Sequence, residues 1–249
     1  MPLLTRGRPR PARAPDNELR MSVIEHLEAL RRVLIVIAIA VTAATIVSWF
    51  LHPVVLDFLI GRANLPRGEA YYNSLTTPFL IGLKLSLYLG LVISSPVIFQ
   101  QVWWFVSPGL HIHEKRLVVP LVISSSVFFL IGISFALYAL PLFTKVLFSF
   151  ATPDLKPLIQ IDSLLGFVIG IIIAFGFVFE LPVVLYMLGR MGIVTTRWLY
   201  HTRLYWVIGM AVVANVLTPG ADPLTPLLIF VPLMIFWEGT VLLLRLTGR

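Results

Sequence analysis

Apolar residues fall in long blocks separated by short polar stretches, so the hydrophobic pattern predicts helices throughout and no strands. Six blocks stand out, over 33–51, 78–105, 117–143, 163–191, 204–218 and 223–244. A helix needs about 20 apolar residues to cross a bilayer, and five blocks meet or approach that length. The fifth, at about 15 residues, is short and predicts local thinning of the bilayer. Thr77 with Pro78 at the first helical position opens the second block, Asp162 or Ser163 the fourth, and Asp222 before Pro223 the sixth.

Ahead of the first block, Leu19, Val23, Leu27, Leu30 and Leu34 recur every three or four residues, opposite Glu25, Glu28, Arg31 and Arg32. This predicts an amphipathic helix over 22–32 lying at the membrane interface, with Ser22 and Glu25 spaced as a capping box. Residues 1–20 hold five arginines among four prolines and cannot bury enough to fold, so a disordered basic tail able to touch anionic lipid is expected. Ordered sequence begins at Met21, which could itself be the start. The loops 51–77 and 144–162 mix proline with apolar residues and are expected to form short interfacial helices.

Composition supports this reading: 58% of residues are hydrophobic, 12% are charged and the mean hydropathy is +0.93. The expectation is an all-α polytopic membrane protein with six transmembrane helices, residues 21–249 forming one domain. With both termini on one side, that side holds 14 of the 19 Lys and Arg residues. By the positive-inside rule both termini are cytoplasmic, and so is the connection 105–116, FVSPGLHIHEKR. The same rule accounts for the net charge of +7, which in a soluble protein would suggest nucleic acid. There is no cysteine, hence no disulfide or thiolate metal site.

Few residues offer chemistry. Glu114 opens the third span, close to a helix N-terminus that favours negative charge. Glu25, Glu28 and Glu114 share an otherwise basic rim, and carboxylates hold guanidinium groups through paired, charge-assisted hydrogen bonds. Two readings stand: recognition of arginine in a ligand, or pairing with the chain's own Arg31, Arg32, Lys115 and Arg116. The second weighs more from residues alone, since Glu28 and Arg32 lie four apart on one helix. Glu180 lies within the fourth span, just before Pro182. A charge at that depth costs about 2.5–3.5 kcal/mol, so it serves either as a hydrogen-bonded structural group or in a polar groove. Glu238 is expected at the interface, near Arg245, and Lys84 is placed to snorkel to the headgroups. Trp103 and Trp104 fit an aromatic belt. His111 and His113 suggest a metal less than a hydrated loop. No nucleotide, protease or phosphate-loop motif occurs, so an enzyme has no residues to stand on and no cofactor is expected.

The segments EHLEALRR, SPVIFQQVWWFVSPGLHIHEKR, FGFVFELPV and LTPGADP occur in order between about 22 and 245. Together they resemble the Sec-independent protein translocase TatC family, the signal-peptide receptor subunit of the twin-arginine translocase. The resemblance implies binding of twin-arginine signal peptides of folded cargo at the cytoplasmic face. It also implies partnership with single-span TatA- and TatB-type proteins, and export driven by the proton-motive force across a prokaryotic cytoplasmic membrane. A homo-oligomer within a larger complex, surrounded by membrane lipid, is expected. The implied signal-binding residues are Glu114, Phe105, Pro108 and Leu110 in the loop, with Glu28, Glu25, Leu30 and Arg31 before the first span. Glu180 matches a glutamate facing a polar concavity, and the fifth and sixth helices match a docking surface for partner helices. The family pattern places a glutamate where this chain has Ala29, and a third basic residue where it has Val33. A proton-coupled small-solute permease using Glu180 is the alternative.

Overall fold

A computed structural model describes residues 23–65, 70–107, 116, 118–149, 158–217 and 224–246. These form eight helices: α1 (Val23–Ser48), α2 (His52–Ala63), α3 (Thr77–Val106), α4 (Val118–Phe148), α5 (Ile161–Arg190), α6 (Thr196–His201), α7 (Arg203–Leu217) and α8 (Leu224–Leu246). The six long ones correspond to the six apolar blocks, making the chain an all-α polytopic membrane protein.

The expected interfacial helix and first span are one uninterrupted rod, α1. Its 26 residues run about 39 Å, and nothing in VIEHLEALRRVL breaks the helix between them. Ser22 lies outside the described residues, as do Leu19 and the basic tail. Leu27 and Leu34 are exposed in the chain alone, as lipid-facing residues are. At 15 residues, α7 extends about 22 Å, short of a hydrocarbon core about 30 Å thick.

α5 is the hub, packing against α3, α4, α7 and α8, while α1 packs chiefly on α3. Apolar side chains gain little from leaving lipid for protein, so close contact between small residues drives this packing. A Cβ on Gly132 of α4 would sit 2.5 Å from the carbonyl oxygen of Phe175 in α5. A Cβ on Gly90 of α3 would sit 2.8 Å from the backbone nitrogen of Thr45 in α1. At both places only hydrogen fits between the helices.

At one end of the bundle α2 lies against α3 and α4, as expected for the 51–77 loop, and closes at Asn64 in the left-handed conformation that Asn tolerates. Tyr71 donates to the carbonyl of Ile159 at 2.9 Å, and Ile161 donates to that of Tyr71 at 2.8 Å, tying the two loops together. Thr77 is the first residue of α3 rather than its cap, and Asp162 lies in the first turn of α5, whose cap is Gln160. Asp162 instead meets Lys84 at 2.8 Å, so that lysine is held across helices rather than snorkelling alone.

Candidate functional site: a charged rim and a buried carboxylate

At the other end, the first turns of α1 present Glu25, Glu28, Arg31 and Arg32 to the exterior, with Leu30 half-buried on the packed side. A 3.6-residue period puts Glu28 and Arg32 on one face, yet Glu28 forms no ion pair among the described residues. Glu28, Arg31 and Arg32 line a shallow depression of about 330 Å³, floored by Ile35 and Val36.

His26 joins this end of α1 to the end of α3. Its ring stacks on Phe105 with centroids 4.3 Å apart and planes inclined at 25°. Phe105 opens the 105–116 connection, so the two stretches assigned to the rim from sequence meet through this stack. Glu114, Pro108 and Leu110 lie outside the described residues, as do His111 and His113. Arg116, just beyond, is exposed.

Deeper in the bundle a second polar feature crosses three helices. Trp103 of α3, expected in an aromatic belt, is instead buried, and its Nε1 donates to Oγ of Ser125 on α4 at 3.0 Å. Trp104 does face outward. The Ser125 hydroxyl accepts from Trp103 and has its own proton to offer Glu180 of α5, whose carboxylate it faces. Glu180 is only 8% exposed, and its Oε1 has no hydrogen-bond partner among the described residues. Sequence reasoning found Glu180 and missed Ser125 and the inward turn of Trp103. The Ser124-Ser125-Ser126 run inside an apolar block was the available signal.

Glu238 pairs with Arg203 rather than with Arg245. Arg203 stands at the start of α7, and its guanidinium also lies 5.7 Å from the ring centroid of buried Trp237. Arg245 lies seven residues, about 10 Å, further along α8, whereas Arg203 reaches Glu238 from the facing helix. Among the described residues no group of three or more His, Asp or Glu side chains could hold a metal.

A bundle of six membrane helices with a charged rim at one end and a buried carboxylate in its hub helix defines a polytopic membrane protein. Residues 25–232 match the family model for the Sec-independent protein translocase protein TatC. The chain is 32% identical over 226 residues to the TatC of Carboxydothermus hydrogenoformans, covering 90% of this chain and 93% of that one. It is 34% identical over 234 residues to the TatC of Aquifex aeolicus, covering 92% and 97%. A crystal structure of the twin-arginine translocase receptor TatC superposes with a TM-score of 0.80 at 33% identity, covering 90% of this chain and 100% of that one. The chain belongs to the TatC family, whose members are subunits of the Sec-independent protein translocase.

Proposed function

We propose that this chain is the receptor and core subunit of a twin-arginine translocase. It binds twin-arginine signal peptides at its cytoplasmic face and, with TatA- and TatB-type partners, exports folded proteins using the proton-motive force rather than ATP. The observation that carries this reading is the His26–Phe105 stack, which sets the acidic start of α1 against the root of the 105–116 connection. On this reading both termini are in the cytoplasm of a prokaryote, consistent with 14 of 19 basic residues lying on that side.

The depression on α1 carries one carboxylate and two guanidiniums, which alone repels a pair of arginines. Glu114 supplies the second negative charge the ligand needs, and Glu28 takes the place of the glutamate absent at Ala29. Glu25 borders the same rim, and Leu30 and Arg31 orient α1. Pro108 and Leu110 shape the loop. Glu180 serves as a polar foothold inside the hub, and α7 and α8 receive the partner helices. Export of a twin-arginine reporter tests the assignment. Glu114→Ala is expected to abolish export while the protein still accumulates in the membrane, and unchanged export would refute the role given to Glu114.

A further inference from the structure

An apolar groove lies between α2, α3, α4 and α5. Along α3 it runs from Leu85 to Phe99, about 21 Å at 1.5 Å per residue. The empty space within it is about 1260 Å³, its open side included, of which about 390 Å³ can be reached by the centre of a water molecule. Divided by that length, the mean cross-section of the empty space is about 60 Å². A helix about 10–12 Å in diameter needs roughly 80–110 Å², so a partner helix does not fit. Water does not suit it either, because a buried water requires two to four polar partners and the wall offers little beyond the Ser95 hydroxyl and the Tyr88 phenol. An extended hydrocarbon chain fits within both the section and the length, since half a hydrocarbon core is about 15 Å and the groove runs about 21 Å.

A cation stands beside the groove. Phe58 of α2 lines it, and the guanidinium of Arg62 lies 5.7 Å from the Phe58 ring centroid. Arg62 is exposed and forms no ion pair among the described residues, whereas Lys84 at the same end is neutralised by Asp162. Asp57, on the same helix, is five positions from Arg62 and therefore about 140° around the axis from it. We infer that the groove is a binding site for an anionic phospholipid, one acyl chain lying along α3 and the phosphate held by Arg62.

The test uses the full chain in phosphatidylcholine vesicles doped with phosphatidylglycerol carrying a photoreactive group in its acyl chain, with labelled residues mapped by mass spectrometry. Labels are expected to concentrate on groove positions such as Leu89, Ile133 and Ile173. Arg62→Gln, a surface change that leaves the core intact, should lower that labelling at least threefold and remove the preference over a photoreactive phosphatidylcholine. Leu91→Trp, which narrows the groove from its exposed side, should lower labelling by both lipids. Labels spread evenly over α1 and the groove, or labelling indifferent to Arg62 and headgroup, would overturn the proposal. So would protection of the groove by a second copy of the chain or a partner helix.

Discussion

α1 and α5 are almost equally apolar, with mean hydropathies of 2.2 and 2.6 over their most apolar stretches, yet 6% of the first stretch is buried and 61% of the second. Hydropathy places both in the bilayer and says nothing about which protein surfaces they meet, because lipid is as apolar as a leucine side chain. What separates them is small and polar detail. α5 receives close approaches on several sides and keeps its carboxylate inside the protein. α1 touches essentially one neighbour and keeps its charges at an open end. The hub therefore holds the architecture together, and the periphery keeps an exposed face.

The strongest way to break this contrast is to wedge the two contacts. Gly132→Leu drives a side chain into the α5 backbone, and overpacking of this kind costs about 1–3 kcal/mol or more. It is expected to lower the melting temperature of the detergent-solubilised protein and its accumulation in the membrane. Gly90→Leu pushes only α1 away, so the remaining bundle should melt nearly as before while proteolysis of α1 accelerates. Equal damage from both would erase the distinction between hub and periphery.

Substitutions at the rim should leave stability alone and remove binding. A hydrogen bond to a charged group contributes about 1.5–3 kcal/mol, so Glu114→Gln should weaken a twin-arginine peptide about 10- to 100-fold by titration. Glu28→Gln should weaken it less, because Arg31 and Arg32 line the same depression and repel the incoming arginines. Within the hub, Ser125→Ala strands the Trp103 Nε1 and takes a donor from Glu180. Leaving buried polar groups unsatisfied costs about 1–3 kcal/mol, measurable by thermal unfolding. Ser126→Ala is the control, since that hydroxyl donates to the Val122 carbonyl of its own helix and its loss should change stability little. The smallest effect is expected from Lys84→Ala, because both partners of its ion pair are about half exposed and such pairs are worth about 1 kcal/mol or less.

The six spans were legible because a membrane leaves a coarse signature of long apolar blocks bounded by caps and prolines. Glu180 was legible because a carboxylate in an apolar block is conspicuous. Partnerships across helices were not. Lys84 with Asp162 and Arg203 with Glu238 are 78 and 35 residues apart, and no local spacing rule reaches that far. Trp103 looked like its neighbour Trp104, because only the rotation of α3 against α4 decides which indole turns inward. The amphipathic stretch and the first span share one helix because a change from polar to apolar composition need not interrupt helical hydrogen bonding.

The role given to the rim rests on where an incoming arginine pair lands. Photocrosslinkers placed at positions 28 and 114 should capture a twin-arginine signal peptide, with capture falling sharply for a twin-lysine version that cannot form the bidentate contact. Equal capture of both peptides, or capture only at sites on α7 and α8, would contradict it.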